Sequence, residues 1–305
     1  MITLRFRSEF SRPAQAFSLL LVCLTLCGSA AAQDTKLTSA ESAIVTRIAK
    51  SGADVGVYFK TLDGKSVWSS RAEDVFHAAS TMKIPVMIEL FHQVNQGKLK
   101  LDDPLTIKNE FHSIVDGSIY TLSAKDDSEL DLYKAEGQTR TVRQLCELMI
   151  TVSSNFATNL LIEKLGVENI RATVHALGAD GVNVLRGVED DKAYEKGLNN
   201  TTTARGLAIL LQAIAEGKAV DAESCKEMIA VLERQKFNEG IPAGLPQGTP
   251  VAHKTGEITK IHHDAAIVFA KRPFILVILV RGLVDIKESS ALMADVSKSL
   301  YEATE

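Results

Sequence analysis

The stretch Ala265-Ala-Ile-Val-Phe-Ala-Lys-Arg-Pro-Phe-Ile-Leu-Val-Ile-Leu-Val280 decides the fold class. Two apolar runs, Ala265–Ala270 and Phe274–Val280, are each too short for a typical helix, and Lys271-Arg272-Pro273 punctuates them, so the stretch reads as a β-hairpin. A second hairpin stands near the other end of the chain. There Val55-Gly-Val-Tyr-Phe59 and Ser66-Val-Trp-Ser69 flank Leu62-Asp63-Gly64-Lys65, with Asp-Gly as the turn signal. Between the hairpins the apolar period changes to 3.6. Ser80–Gly97 carries Ile84, Met87, Ile88 and Phe91 on one stripe, with Pro85 in the first turn, where a missing N–H does no harm. Further helical patterns cover Thr141–Thr151, Asn155–Leu165, Val167–Leu177, Thr202–Glu216 and Ala222–Gln235. Two terminal helices are expected, one opened by a Thr38-Ser39-Ala40-Glu41 capping box and one over Lys287–Ala303.

Hairpins at both ends around a helical block argue for an α+β fold, not alternating βαβ units. The expected assembly is one antiparallel sheet formed from both chain ends and flanked by helices, plus an all-helical subdomain, with the site in the cleft between them. The expected bounds are residues 33–78 and 236–305 for the α/β subdomain and 79–235 for the helical one. Residues 102–138 are irregular and polar, and an Ω-like loop at about 180–200 is rich in charge and without period.

Composition excludes classes without naming a function. With 305 residues, 46% hydrophobic and 24% charged, the chain is an ordinary globular one, not disordered. A net charge of −4 gives no basic footprint for nucleic acid. Residues 1–32 read as a secretory signal: Arg5, Arg7 and Arg12 precede the apolar run 16–27, and Ala30-Ala31-Ala32 offers a cleavage site. Removing them takes away three Arg and one Glu and leaves 31 basic against 37 acidic residues, a charge of −6. The mature chain is expected to be a monomer outside the cytoplasmic membrane, in periplasm or medium. Cys23 and Cys27 leave with the signal. Cys146 and Cys225 remain, each inside a helical pattern; one disulfide is allowed, and buried free thiols are the preferred expectation.

Three patterns carry chemistry. Ser80-Thr81-Met82-Lys83 sets a hydroxyl and an amine three residues apart at a helix start, on one face. A serine is a weak nucleophile until a neighbouring base takes its proton, and a desolvated lysine can be that base. Ser153-Ser154-Asn155 adds a second hydroxyl and an amide where a loop meets a helix. Lys254-Thr255-Gly256 adds a second ammonium, a hydroxyl and open backbone where the β pattern resumes. Alone, each also describes a capped helix or a surface strand end. The seven histidines include one adjacent pair, His262-His263, and no His-x-x-x-His or His-Glu pair, which argues against a zinc hydrolase.

In this order the three motifs resemble the serine β-lactamase and penicillin-binding-protein superfamily, with the closer likeness to class A β-lactamases. Phe76-His-Ala-Ala-Ser-Thr-Met-Lys83 looks like their nucleophile segment. Thr141–Cys146 with Thr151–Leu161 looks like their second-motif helix pair, Thr201–Arg205 like the helix start after their Ω-loop, and Ala252-His-Lys-Thr-Gly256 like their third motif. The resemblance implies an exported serine hydrolase that opens the ring of penicillins and cephalosporins through an acyl-serine, without metal or cofactor. It implies Ser80 as nucleophile, Lys83 as its proton acceptor and the N–H groups of Ser80 and Glu257 as oxyanion hole. Ser153 would protonate the leaving nitrogen beside Lys254, while Asn155 and Thr255, with the open backbone at Gly256, would bind substrate. The alternatives are a cell-wall D,D-peptidase that deacylates slowly, and a non-catalytic β-lactam sensor.

Departures from the family pattern bear on deacylation. In the loop Val184–Asn200, Arg186 matches, but counting on without a gap puts Val188 where the family has its glutamate; a shift of one residue puts Glu189 there. Glu189 is therefore either the deacylation base or a solvated loop carboxylate, with Asp190, Asp191 and Glu195 as solvated comparisons. Ser154 stands where an aspartate is usual, and Glu257-Ile258 where a small residue and glycine are usual. Arg272 and Arg281 lie only at the ends of the strand Phe274–Val280, and Met87 stands where some relatives pair a cysteine with that at position 146. The segment between the first two motifs is longer than usual, with its extra residues within about 109–138.

Overall fold

Phe274–Val280 can be apolar at every position because it is covered on both faces. In the structure, a computed structural model that describes residues 35–305 and the isolated Thr3, this run belongs to the middle strand of a five-stranded antiparallel sheet. The strands are β1 (Asp54–Thr61), β2 (Val67–Ser70), β3 (Val251–Ile258), β4 (Ile261–Val268) and β5 (Phe274–Arg281), in the order β2-β1-β5-β4-β3. Both expected hairpins form, and β1 pairs with β5 from Asp54↔Arg281 to Thr61↔Phe274. The sheet is thus closed from the two chain ends. The signal segment lies outside the described residues.

Period-2 alternation sorts β5 between two cores. Phe274, Leu276, Ile278 and Val280 join Val57 and Phe59 against the terminal helices α1 (35–51) and α8 (Ile286–Thr304). Ile275, Val277 and Leu279 face the core built by the middle helices. Helix α1 already runs from residue 35, so Thr38 lies within it and is not its cap. The middle helices are α2 (Lys83–Asn95), α3 (Val142–Thr151), α4 (Asn155–Leu165), α5 (Val167–Ala176), α6 (Ala204–Ala215) and α7 (Ala222–Leu232). Their starts follow local chemistry. Thr141 caps α3 in a full capping box with Gln144, and Ser154, Thr203 and Asp221 cap α4, α6 and α7. Cys146 and Cys225 are buried free thiols, and burial pushes the Cys146 thiol up to about 12. Among the described residues no helix is long and apolar enough to cross a membrane.

The polar stretch between α2 and α3 has more order than its composition indicates. Pro104–Thr106 pairs with Thr139–Thr141, Phe111–His112 pairs with Ile119–Tyr120, and Asp131–Lys134 forms a helical turn. Phe111 and Tyr133 pack their rings on Phe156 of α4, at 6.0 and 4.8 Å between centroids. This stretch also grips the loop before α6. Asp190 accepts hydrogen bonds from Ser113 Oγ (2.8 Å) and the Ile114 N–H (3.0 Å), and caps the short turn Asp191–Glu195 through the Ala193 N–H. Lys192 reaches Asp116 and Ser118, and Tyr120 donates to the Val188 carbonyl at 3.2 Å. The loop is closed on itself by Asn200, which accepts from the Leu185 and Arg186 N–H groups and donates to the Arg186 carbonyl.

Asp190 is therefore not the solvated charge the sequence indicates. It is 1% exposed, whereas Asp191 beside it is exposed. Removing its carboxylate leaves buried donors unpaired at roughly 1–3 kcal/mol each. Asp190→Ala is expected to cost about 2–4 kcal/mol in urea unfolding, and Asp191→Ala under about 0.5 kcal/mol. Equal midpoints for the two variants would show that the loop is not held this way.

Candidate active site

Ser80 sits in a 3₁₀ turn, Ala79–Met82, that leads directly into α2 at Lys83. The turn is held from the sheet. His263, buried on β4, donates from Nε2 to the His77 carbonyl at 2.9 Å and accepts the Val280 N–H on Nδ1 at 3.1 Å. Burial keeps this imidazole neutral, with its pKa lowered to about 4. The His77 ring in turn accepts the Ala79 N–H at 3.0 Å, and Ala79 takes the left-handed φ of 44° just before the serine. Edge strand β3 runs beside this turn. A Cβ on Gly256 would stand 3.0 Å from the backbone nitrogens of both Ser80 and Thr81, so any side chain there would crowd the serine turn.

Lys83 has no solvent exposure. Its Nζ lies 3.0 Å from Ser80 Oγ, 2.6 Å from the Ser153 carbonyl, 3.1 Å from Ser153 Oγ and 2.8 Å from Asn155 Oδ1. Desolvation pulls its pKa down to about 7, against the opposing charges of Asp127 and Glu189. Lys254 on β3 is also fully buried and donates to Ser153 Oγ at 2.9 Å and to the Thr255 carbonyl at 2.8 Å. Its pKa falls well below the ordinary lysine range, through desolvation first and the neighbouring Lys83 second, with Asp264 in opposition. Asp264 belongs to a buried group behind β3, in which it meets His253 Nδ1 at 2.9 Å and accepts the Ile241 N–H at 2.9 Å.

Ser153 is thus a hydroxyl between two amines, carried on a turn with φ of 60°. Asn155 opens α4 and connects Lys83 to the loop, since its Nδ2 donates to Glu189 Oε1 at 2.6 Å. Burial raises the Glu189 pKa to about 6, partly offset by that hydrogen bond. Val188 faces elsewhere: Asn159 grips its backbone on both sides, accepting its N–H at 2.7 Å and donating to its carbonyl at 3.0 Å, and its side chain packs on the helical core. Gly187 makes room for that grip, because a Cβ there would meet Asn159 Oδ1 at 2.7 Å. Of the two residues left open in the sequence, the one whose carboxylate points at Lys83's partner is Glu189.

Ser80, Ser153, Asn155, Thr255 and Glu257 line a cleft of about 840 Å³. Lys83, Lys254 and Glu189 join it through the hydrogen bonds above, and Gly256 lies against the serine. Desolvation raises the Glu257 carboxyl pKa. The wall continues through Phe237, Glu239, Ile258, Lys260, His262 and Val284. The strand-end arginines do not line it: Arg281 pairs with Asp54 over the Phe76 ring, and Arg272 pairs with Asp63. Two carboxylates escaped the sequence reading, Asp127 and Asp264. The first lies in a stretch without period, and the second in a strand whose partner His253 is eleven residues away.

The arrangement supplies a hydroxyl, a buried amine of lowered proton affinity, a second hydroxyl shared by two amines and a carboxylate one amide away. Known proteins share its frame. The chain is 28% identical to β-lactamase AST-1 of Nocardia asteroides, over 98% of each chain. An ancestral class A β-lactamase of Gram-negative bacteria superposes with a TM-score of 0.75 at 26% identity, covering 87% of this chain and 99% of that one. A leucine-to-glutamate variant of PBP-A, solved as an acyl-enzyme with penicillin G, superposes with a TM-score of 0.74 at 27% identity, covering 88% and 97%. Residues 39–304 match the Beta-lactamase enzyme family, and the chain belongs to that family, within the class A serine β-lactamase and penicillin-binding-protein superfamily.

Proposed function

We propose that this protein is a serine β-lactamase that hydrolyses penicillins and cephalosporins through an acyl-enzyme on Ser80. The observation that carries the reading is the buried Lys83 amine against Ser80 Oγ at 3.0 Å. A neutral amine has two protons and one lone pair. Its protons can satisfy the Ser153 carbonyl and Asn155 Oδ1, which leaves the lone pair for the serine proton.

In the first half-reaction, Ser80 Oγ attacks the lactam carbonyl carbon while its proton passes to Lys83. The N–H groups of Ser80 and Glu257 receive the oxyanion, where Gly256 lets the strand come close. The C–N bond then breaks, and the ring nitrogen takes the proton of Ser153 Oγ. That hydroxyl is reprotonated from the Lys83 and Lys254 side. Asn155 and Thr255 hold the substrate's polar groups. In the second half-reaction, water attacks the ester carbonyl, Glu189, oriented by Asn155, accepts its proton, and that proton passes to Ser80 Oγ as the ester C–O bond breaks. The net change adds one water across the lactam bond. Export by residues 1–32 and action as a monomer outside the cytoplasmic membrane complete the reading.

A second reading rests on the same loop. Val188 stands at the ungapped glutamate position, and the likeness extends to PBP-A. If Glu189 does not activate water, the same chemistry stops at a long-lived acyl-enzyme, as in a D,D-peptidase.

Intact-mass measurement after benzylpenicillin should show one adduct on the parent and none on Ser80→Ala. Lys83→Ala should slow acylation, and Lys254→Ala should weaken both binding and acylation, each by more than tenfold, over ~1.4 kcal/mol of barrier. Smaller losses for both would mean the site is misassigned.

Glu189→Gln should acylate normally and deacylate about 10²–10⁴-fold more slowly, while Asp191→Asn and Glu195→Gln should match the parent. A parent adduct that lasts for minutes in stopped-flow would favour the D,D-peptidase reading. The two half-reactions should also differ in pH. Acylation needs neutral Lys83 and should rise with pH through about 7. Deacylation needs ionised Glu189 and should rise through about 6. Superimposable pH profiles would count against separate bases.

A further inference from the structure

The second motif of this chain has no carboxylate of its own, yet one is bound to it. Asp127 follows the 3₁₀ turn Ala124–Asp126 in the long segment between α2 and α3. Its Oδ2 accepts the Phe156 N–H at 2.8 Å, the Tyr133 hydroxyl at 3.0 Å and the Ser154 hydroxyl at 3.3 Å, and its Oδ1 accepts the Glu129 N–H at 3.1 Å. Phe156 is the second residue of α4, whose first N–H groups have no partner within the helix. Ser154 meanwhile caps that helix by accepting the Ala157 N–H at 3.2 Å. One serine and one aspartate, 27 residues apart, therefore divide the work at this helix start. The serine takes one backbone N–H, and the aspartate takes another and brings the charge that complements the helix dipole.

Ser154 is flanked by Ser153 and Asn155, and both touch Lys83 Nζ. Ser153 holds a left-handed φ of 60°, which a non-glycine residue keeps only when its surroundings enforce it. We propose that Asp127 is a positioning residue for the acylation site, which holds the Ser153-Ser154-Asn155 turn against Lys83 and supplies the negative charge that the turn itself lacks. The proposal rests on the reading of Ser80 and Lys83 as the acylating pair.

Charge in this region is set by few groups. Lys83 and Lys254 face the turn from α2 and β3, Glu189 faces it from the loop, Tyr133 from the Asp131–Lys134 turn, and Asp126 and Glu129 flank Asp127 on its own segment. Of the carboxylates that favour the protonated form of Lys83, Asp127 acts most strongly and Glu189 next. Tyr133 carries the mark of the same carboxylate, since burial and Asp127 together hold its hydroxyl protonated well above the usual range. Without the Asp127 charge, Lys83 gives up its proton at lower pH, so the acid limb of acylation must move down. A brace with no electrostatic role would change the rate and leave the limb in place.

The experiment is the pH dependence of Ser80 acylation, read by burst-phase stopped-flow with a chromogenic cephalosporin and by adduct mass with benzylpenicillin. Asp127→Asn should form the adduct about tenfold more slowly at the plateau, with its acid limb at least about half a pH unit below the parent's. Adding Ser154→Asp to Asp127→Asn returns a carboxylate to the turn and should bring the limb back to the parent position. If Asp127→Asn does not fold, Asp127→Ser tests the same point, because it removes the charge while keeping an acceptor oxygen for the Phe156 N–H and should show the same lowered limb. A parent-like limb in Asp127→Asn, or no return in the double variant, overturns the proposal while the adduct still forms. Absence of any parent adduct overturns the acylation reading and this proposal with it.

Discussion

Two lysine amines without solvent contact share one hydroxyl oxygen, and the rest of the site is arranged around that fact. Ser153 Oγ stands 3.1 Å from Lys83 and 2.9 Å from Lys254. Two ammonium charges at this spacing in a dry site repel strongly, and desolvation already disfavours each. Each is opposed by carboxylates from elements that are remote in sequence: Asp127 and Glu189 for Lys83, Asp264 for Lys254. The outcome is unequal. Lys83 is left near 7, where it can exchange a proton with a serine, and Lys254 is held from behind by a buried aspartate that itself binds His253 and the Ile241 N–H. Amines of the same type thus acquire different proton affinities from their surroundings alone.

That pairing sets what the fold must do. One amine arrives on the first turn of α2, the shared hydroxyl on the turn before α4, and the second amine on an edge strand. They meet only if the sheet, helical layer and loop are fixed together. The sheet fixes the serine turn through His263, and the edge strand reaches it because position 256 is glycine. The loop is fixed from the opposite side by the Phe111–Tyr120 hairpin, through Asp190 and Tyr120. The long segment between the first two motifs therefore serves both halves of the site. Asp127 ties it to the Ser153 turn, and Ser113 with Ile114 ties it to the residue after Glu189.

What was legible in the sequence is what depends on local or periodic signals. The apolar run Phe274–Val280, the Asp-Gly turn and the 3.6 stripe with Pro85 in its first turn each specify their element within a short window. The sheet from both chain ends follows from them. Residues 102–138 were not legible, because their short strands have two or three residues and no period, and they are ordered by contacts with α4 and the loop. Asp190 looked solvated for the same reason, since its partners Ser113 and Ile114 lie 77 and 76 residues away. The choice between Val188 and Glu189 is a one-residue register in a loop without periodicity. In the structure Asn159 grips the backbone of Val188, and Asn155 donates to the Glu189 carboxylate, contacts no local signal announces.

Around the two lysines, Ala79 at φ 44° and Ser153 and Glu189 at φ 60° have left-handed backbone although none is glycine. Each such residue costs of order 1 kcal/mol or more, and persists only where its neighbours over-determine it. The neighbours here are specific. The His77 ring holds the Ala79 N–H; the Ser154 cap and Asp127 hold the stretch after Ser153; and Asn159 before it and Asp190 after it hold Glu189. A side chain placed from a left-handed residue leaves the line of its element, which is how a turn can aim a hydroxyl or carboxylate sideways into a cleft. Replacing any one of the holding groups removes a hydrogen bond from a conformation that is already unfavourable. Its effect should therefore reach the aim of the side chain that the turn carries, in addition to any cost to the fold. The rigid layers supply the coordinates, and these held turns supply the direction.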